Sequence, residues 1–283
     1  ADLVAADADH LGQIETRDNG KLIREMTAQC KAVPSYFHFY AGLADKIQGA
    51  TIPLEKTTVF NYTLREPIGV VAILIPWNSP LLLLSFSVAA ALAAGNAVVI
   101  KPSEHASAST LEFARLIEQA GFPPGIFNVV TGMGPVTGAA LSSHPGVGKI
   151  CFTGGVETAR KISEQAALNL TPTLLELGGK SANVILDDAN VGLAAKIAVS
   201  ACFANSGQTC SALTRLIVPA SCRDEVVEVV AGRTAGYTVG DPLDESVKCG
   251  PMASARQQAS VTEYIQSGID EGATLIGGGI GMP

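Results

Sequence analysis

The chain has 283 residues, more than a single domain usually contains, so we expect two packed units that each bury a core. Hydrophobic residues make up 47% of it and charged residues 16%, which is typical of a well-buried globular protein and argues against disorder. The 19 basic and 26 acidic residues give a net charge of −7, with no cluster of Lys or Arg, so nucleic acid is not expected as a partner.

The six cysteines are scattered and form no Cys-x-x-Cys pair, so the sequence indicates neither a metal site nor a disulfide framework. No signal-peptide pattern opens the chain, and we expect reduced thiols and a cytoplasmic location. The longest apolar run, residues 80–95, contains two serines and is shorter than the roughly 18 to 20 residues that cross a bilayer. It predicts a buried helix, and no membrane partner is expected.

The first part of the chain carries two different patterns. Residues 1–44 are rich in Ala and charge, with apolar positions at helical spacing, and predict surface helices. Residues 49–67 are rich in β-branched and aromatic side chains that Pro53 interrupts. This second segment predicts an extended arm or hairpin, which is a candidate oligomer contact.

From Gly69 onward, an apolar strand followed by a helix-like stretch occurs four times. Continuous apolar strands that alternate with helices indicate a parallel sheet covered on both faces. Ligands bind such sheets at the carboxyl ends of the strands, so we expect a nucleotide cofactor beside the loops at 76–79, 101–104, 131–134 and 153–155. The predicted strands are 70–75, 97–100, 127–130 and 149–152.

A second α/β unit is predicted after Gly179. Its pattern is a strand at 182–186, a helix at 191–204, a strand at 213–218 and a helix after Ser221. The predicted fold class is therefore α/β, with a Rossmann-like parallel-sheet cofactor domain at 1–178 and a second α/β catalytic domain at 179–283. The glycine-rich end at 277–281 carries no closing element, so we expect the second domain to be incomplete.

The stretch from Gly207 to Ser211 gives Cys210 a small, flexible approach and polar neighbours, which favours a thiol that meets a ligand. The alternative is a buried small hydrophobe, the usual role of cysteine. Glu176 lies in an apolar run that ends in two glycines. A carboxylate in apolar surroundings has a raised pKa and can accept a proton near neutral pH, so a thiol and a base together suggest covalent chemistry.

Three loops are candidates for ligand contacts, and each has a structural alternative. Lys101 and Glu104 either form a solvated turn or bind a ribose diol, in which case the carboxylate repels a 2′-phosphate and favours NAD over NADP. Residues 153–155 either start a helix or let a pyrophosphate approach backbone N–H groups. Asn78 either caps the following helix or donates its amide to a developing oxyanion.

Taken in order, these motifs resemble the signature series of the aldehyde dehydrogenase superfamily, in sequence and in spacing. The resemblance extends over nearly the whole chain, from about Asn19 to Met252. The motifs that carry it are Ile75-Pro76-Trp77-Asn78, Lys101-Pro102-Ser103-Glu104, Phe152-Thr153-Gly154-Gly155, Leu175-Glu176-Leu177-Gly178-Gly179-Lys180 and Gly207-Gln208-Thr209-Cys210.

The resemblance implies NAD-dependent oxidation of a small-molecule aldehyde to a carboxylic acid through a cysteine thiohemiacetal and thioester. Cys210 matches the family's nucleophile, Asn78 its oxyanion donor and Glu176 its general base, and Lys101 counts among the catalytic residues. No metal is implied. The implied cofactor-binding residues are Ile75, Pro76, Trp77, Lys101, Ser103, Glu104, Gly134, Phe152, Thr153, Gly154, Gly155, Leu177 and Gly178.

The chain also departs from the family pattern. Ser79, Ser87 and Gly155 stand where other residues are common, and the family's N-terminal segment and its C-terminal Glu-x-Phe-Gly-Pro motif are not found, so the sequence resembles a core fragment. Two alternatives therefore stay open: a catalytically incomplete NAD-binding or structural protein of the same fold, and a cysteine esterase. The arm at 49–67 resembles the family's bridging element and suggests a homodimer or homotetramer.

Overall fold

The computed structural model describes residues 1–281, and the chain forms two compact units. The first unit comprises Ala1–Leu11 and Gln29–Glu176, and the second comprises Gly12–Ala28 and the chain from Leu177 onward. The functional assignment of 1–178 and 179–283 stays a prediction, and residues 282 and 283 of the second range lie outside the described residues.

The first unit is built on a five-stranded sheet with the strand order β3-β2-β1-β4-β5. The strands are β1 (Val70–Leu74), β2 (Ala97–Lys101), β3 (Phe127–Val129), β4 (Lys149–Gly154) and β5 (Thr173–Leu177). β1 pairs in parallel with β2 and with β4, and β2 pairs in parallel with β3. The predicted α/β class and its four apolar strands are confirmed. β5 is an addition to the predicted strands; it contains the apolar run around Glu176, and its side chains alternate between partly buried and exposed.

The apolar run at 80–95 is a helix of this unit, as predicted. The helix begins with Pro80 at its first position, where the missing N–H costs nothing, and ends before Gly95, whose φ of +79° suits glycine. Leu81, Leu84 and Val88 are fully buried. No helix within residues 1–281 combines the length and the apolar character needed to cross a membrane.

Helices pack around the core of the first unit. They are α1 (Asp2–Asn19), α2 (Ile23–Ala41), α3 (Pro80–Ala93), α4 (Ala108–Gln119), α5 (Ala139–Ser142) and α6 (Val156–Ala167). The end of α1 from residue 12 and the start of α2 up to residue 28 belong to the second unit. The prediction of helices at 1–44 is confirmed, but their description as surface helices is wrong for one face. Val4, Leu11, Cys30 and Val33 belong to the same buried cluster as the sheet residues, because both helices are amphipathic.

The predicted arm at 49–67 contains one antiparallel bridge, between Thr51 and Tyr62. The N–H of Ile52 donates to the carbonyl of Asn61 at 2.9 Å, and the N–H of Thr63 donates to the carbonyl of Ala50 at 2.8 Å. The pairing is that of a hairpin, with exposed apolar side chains such as Phe60, Tyr62 and Leu64. Its role as an oligomer contact stays a prediction.

Within residues 177–281, the second unit contains a two-stranded parallel sheet and helices; the predicted order of strand, helix, strand and helix is found, and a further helix after them is an addition. The elements are β6 (Ala182–Val184), α7 (Val191–Phe203), β7 (Arg215–Ile217), α8 (Arg223–Thr234) and α9 (Ala255–Asp270). Ile185, Ala195 and Val226 form its buried cluster. The turn that carries Cys210 follows α7.

Candidate functional site

The candidate cofactor residues of the first unit lie at one edge of its sheet. Because β1, β2 and β4 are parallel, their carboxyl ends meet there. Leu74 pairs with Lys101 on one side and with Phe152 on the other, and the N–H of Ile75 donates to the carbonyl of Lys101 at 3.1 Å. The structure thus brings three of the predicted loops together at this edge.

Lys101 and Glu104 form the charged pair of this edge. The buried Lys101 ammonium donates to the carbonyl of Pro102 at 2.7 Å and to Glu104 Oε2 at 3.4 Å. Partial burial acts to raise the pKa of Glu104, but hydrogen bonds from its own backbone N–H and from Lys101 and Gly134, together with the Lys101 charge, hold it below its usual value. The pair offers a donor and an ionised acceptor side by side, which is what a ribose diol requires.

Ser103 has a different and local role. Its side-chain oxygen accepts a hydrogen bond from the N–H of His105 at 3.2 Å, and the residue is buried. This is the short turn that serine commonly forms with a backbone N–H two residues later. Turn formation is therefore enough to explain Ser103.

The two glycines after β4 have different surroundings. A Cβ at Gly154 would lie 2.4 Å from Cζ of the buried Phe152, so the close packing of that ring requires glycine. A Cβ at Gly155 would meet nothing within 4 Å. Gly155 is the N-cap residue of α6, so the backbone at this helix N-terminus is open to a ligand oxygen. Thr153 precedes them, half-buried.

Asn78 is not the cap residue of α3, because Ser79 occupies the N-cap position and its side chain makes no cap hydrogen bond. The N-cap position that the sequence offered to Asn78 is therefore occupied by Ser79. Asn78, Pro76 and Trp77 are all partly exposed in the loop after β1. An amide role for Asn78 stays a prediction.

Glu176 lies on β5, where burial alternates and the glutamate is exposed. The apolar surroundings that the sequence predicted for this carboxylate are not found, because alternate side chains of a strand point to opposite faces. Leu177 is half-buried on the other face. Gly178 follows with open space around the position of a Cβ.

Cys210 is exposed and follows a turn with an uncommon backbone. Asn205, Ser206 and Gly207 have φ values of 52°, 56° and 71°, so three successive residues are left-handed. The two that are not glycine each cost about 1 kcal/mol or more. The predicted flexible approach is therefore wrong: the turn is strained, and Asn205, Ser206 and Gln208 are buried.

Lys21 and Glu25 hold this turn, and sequence reasoning did not single them out. The Lys21 ammonium donates to the carbonyls of Asn205 at 3.0 Å and Gln208 at 3.1 Å. Glu25 Oε1 accepts a hydrogen bond from the N–H of Asn205 at 3.0 Å. The position of Lys21 after Gly20, at the break between α1 and α2, was a sequence signal for a special role. It was not used because lysine is rarely fully buried, whereas Lys21 has 0% exposure.

A second set of contacts fixes the same turn. The side-chain oxygen of Ser206 accepts from the N–H of Gly250 at 2.9 Å, and Oε1 of Gln208 accepts from the N–H of Ala253 at 3.1 Å. Asn205 Nδ2 also donates to Thr209 Oγ1 at 3.0 Å. The backbone that leads to Cys210 is thus anchored from several segments of the second unit.

Within residues 1–281, Asp7, His10 and Glu112 form one group whose spacing would suit a metal ion. Arg115 already makes ion pairs with both carboxylates of this group. Its positive charge opposes a bound cation, so we assign no metal to the group.

These features place the chain in a class of two-unit α/β proteins. One unit has a nucleotide-type parallel sheet with a lysine and a carboxylate at its carboxyl edge, and the other presents an exposed thiol on a constrained turn. Asn78, Lys101 and Glu176 belong to the first unit, and Cys210 belongs to the second.

Comparison with known proteins identifies the family. The profile described as "Aldehyde dehydrogenase family" matches residues 1–282, so the chain belongs to that family. It is 46% identical over 279 residues to the (Z)-2-((N-methylformamido)methylene)-5-hydroxybutyrolactone dehydrogenase of Acinetobacter baylyi, covering 99% of this chain and 57% of that protein. It is 43% identical to aldehyde dehydrogenase family 2 member C4 of Arabidopsis thaliana, covering 99% and 56%.

The fold agrees with this result. A solved structure of an aldehyde dehydrogenase from Bacillus cereus in its NAD⁺ complex superimposes with a TM-score of 0.94 at 39% identity, covering 98% of this chain and 56% of that one. The chain therefore spans about half the length of the relatives that it matches.

Lys21 gives a testable pH dependence of stability. Burial lowers its pKa from 10.5 to about 7, against the opposing negative charges of Glu25 and Glu15. Between these two pKa values the unfolded chain binds more protons than the folded one, so the Lys21 contribution to stability increases as the pH rises from about 7 to about 10. The quantity to follow is the unfolding free energy of the parent chain minus that of Lys21→Met. We expect this difference to increase by about 1 kcal/mol per pH unit in this window.

Urea denaturation at several pH values measures this difference. The matched control is Lys31→Met, which removes an exposed lysine of α2 that pairs with Asp9. The difference in unfolding free energy between the parent chain and Lys31→Met should change little over the same pH range. If the difference between the parent chain and Lys21→Met falls or stays constant as the pH rises, the lowered pKa of Lys21 is contradicted.

Proposed function

We propose that the chain is the cofactor-binding and thiol-bearing part of an enzyme that oxidises an aldehyde to a carboxylic acid with NAD. The observation that carries the proposal is the exposed Cys210 at the end of a strained and anchored turn. A thiol kept only for packing would be buried, as Cys30, Cys151 and Cys249 are. Membership of the aldehyde dehydrogenase family supports the same reaction class.

The proposed chemistry begins at the Cys210 sulfur. Its thiolate attacks the aldehyde carbonyl to form a thiohemiacetal, and the oxyanion is stabilised by the Asn78 amide and the Cys210 backbone N–H. After oxidation, the substrate is held as a thioester on Cys210. Glu176 then takes a proton from water, which attacks the thioester and releases the acid. The exposure of Glu176 on β5 is consistent with a base that meets water.

The residues at the carboxyl edge of the first sheet fit a nicotinamide dinucleotide. Lys101 and Glu104 would hold the adenosine ribose, the open backbone at Gly155 would meet the pyrophosphate, and Ile75 and Trp77 would line the groove. When bound, the cofactor supplies the acceptor for the hydride. The structure of the NAD⁺ complex of the Bacillus cereus relative supports this choice of cofactor.

The preference for NAD over NADP is proposed from Glu104. Its carboxylate has a lowered pKa and is therefore ionised at neutral pH. A 2′-phosphate would add a second negative charge beside it, and like charges disfavour binding. The preference follows from this repulsion.

We further propose that the active assembly is a homodimer or homotetramer and that it acts in the cytoplasm. The exposed apolar side chains of the hairpin at 49–67 support the first part, because such surfaces commonly mark contacts between chains. The second part rests on the sequence alone.

Two substitutions test the reaction. NADH absorbance is followed after mixing the chain with NAD and a panel of aliphatic and aromatic aldehydes. Cys210→Ala should lower turnover by at least about a thousandfold, because the nucleophile is lost. Glu176→Gln should still release about one NADH per chain in a rapid burst and then slow strongly, because the thioester is no longer hydrolysed.

The matched control is Cys222→Ala. Cys222 is partly buried, and its thiol donates to the carbonyl of Pro219, so the change should leave turnover nearly unaltered. Full activity of Cys210→Ala would refute the proposal. Cys210-dependent ester cleavage without any need for NAD would instead support a cysteine esterase, and NAD binding without NADH formation would support the non-catalytic alternative.

Glu104→Gln tests the cofactor preference. Removal of the negative charge should raise the affinity for NADP relative to NAD by about tenfold or more, since like charges close together cost several kcal/mol. Both affinities can be measured by titrating the chain with NAD and with NADP. Trp77 is the one tryptophan of the chain and lies in the loop after β1, so its fluorescence can report binding in each titration. Glu118→Gln is the same change at an exposed position of α4, and it should leave the ratio of NADP affinity to NAD affinity unchanged. An unaltered ratio in Glu104→Gln would contradict the proposed repulsion.

A further inference from the structure

The turn before Cys210 has a conformation that its own residues do not favour. Asn205 and Ser206 both have φ above +50°, although side chains with a Cβ disfavour this region. Such a conformation persists only when surrounding contacts determine it. The contacts that act on the turn are therefore part of what places Cys210.

Lys21 and Glu25 supply contacts to the turn's backbone itself. The Lys21 ammonium reaches the carbonyls of Asn205 and Gln208, which lie on either side of Ser206 and Gly207. Glu25 takes the N–H of Asn205, so both polar backbone groups of Asn205 are held by charged side chains. Hydrogen bonds that involve an ionised group are shorter and stronger than neutral ones.

Stability alone does not explain a lysine in this position. Burying an ammonium ion is costly, and apolar residues of similar volume often serve stability as well or better. Lysine does offer several donors from a single nitrogen, which lets it join the carbonyls of Asn205 and Gln208. The arrangement suits the fixing of a backbone more than the filling of a core.

We infer that Lys21 and Glu25 are positioning residues for the Cys210 nucleophile, holding the turn at 205–208 so that the thiol and the backbone N–H of Cys210 have one orientation. This inference rests on the proposed function. Neither side chain takes part in the chemistry. Both act through the backbone two to five residues before the cysteine.

Arg24, the neighbour of Glu25 on α2, provides a matched control. Its guanidinium donates to the carbonyls of Glu245 at 3.0 Å and Val247 at 2.7 Å. It is thus a second cation that joins two backbone carbonyls within the second unit, but on a segment other than the Cys210 turn. Loss of Arg24 should loosen residues 245–247 and leave the turn intact.

The test compares Lys21→Met, Glu25→Gln and Arg24→Met with the parent chain. Hydrogen exchange measured by mass spectrometry should show the amides of 205–210 exchanging about tenfold faster or more in the first two variants and unchanged in Arg24→Met. Steady-state kinetics should show kcat reduced by about tenfold in Lys21→Met and Glu25→Gln, with the KM for NAD changed less than about threefold. This division between kcat and KM is not expected from general destabilisation.

A third readout does not depend on dehydrogenase activity. Alkylation of Cys210 by iodoacetamide is followed by peptide mass spectrometry, with Cys222 of the same chain as the internal reference. Lys21→Met should slow the alkylation of Cys210 by about fivefold relative to that of Cys222, because the turn that carries Cys210 loses the two hydrogen bonds that hold its backbone. Arg24→Met should leave the ratio as in the parent.

The outcomes separate the inference from the proposed function. If Lys21→Met slows the alkylation of Cys210 as expected but the parent chain never produces NADH, the proposed function fails while the effect of Lys21 on the thiol still stands. If exchange at 205–210 and the ratio of Cys210 to Cys222 alkylation are unchanged in Lys21→Met, or change equally in Arg24→Met, the positioning role is refuted. Should Lys21→Met fail to fold, Glu25→Gln decides the question by exchange and kcat, since it keeps the shape of the side chain.

Discussion

Parallel pairing of β1 with β2 on one side and β4 on the other is the constraint on which the candidate cofactor edge depends. In this register Leu74 stands level with Lys101 and with Phe152, so β1 and β2 end level with each other and β4 ends two residues beyond them. A shift of one residue would turn the Lys101 side chain to the opposite face of the sheet and break its pairing with Glu104. The charged pair, the glycines after β4 and the loop after β1 share an edge only because this register is kept.

The second unit depends on a polar constraint instead. The buried Lys21 ammonium holds the carbonyls of Asn205 and Gln208, and its burial is unfavourable enough to lower its pKa to about 7. Stability at neutral pH is thus reduced by the group that orders the turn before Cys210. Proteins commonly accept such a cost where a defined local geometry is needed for function.

Sequence reasoning predicted the parts of the molecule that leave a local pattern. The strand at 70–75 and the helix at 80–95 were predicted because extensive burial produces a continuous apolar run. β5 is not among the predicted strands, although it contains the apolar run around Glu176, and its side chains alternate between partly buried and exposed. Lys21 was missed for another reason: it binds backbone carbonyls 184 and 187 positions away, and backbone acceptors leave no trace in the side-chain sequence.

The approach to Cys210 shows how composition alone can mislead. Small polar residues around a cysteine suggest flexibility, yet here Gly207 is needed for a left-handed φ of +71°, and two further residues share that conformation. Asparagine tolerates this region better than most residues, and its side chain bonds to Thr209 within the turn. The result is an exposed sulfur on a backbone that is buried and fixed. Since well-oriented groups react far faster than freely moving ones, a turn held in this way would suit the nucleophilic role proposed for Cys210.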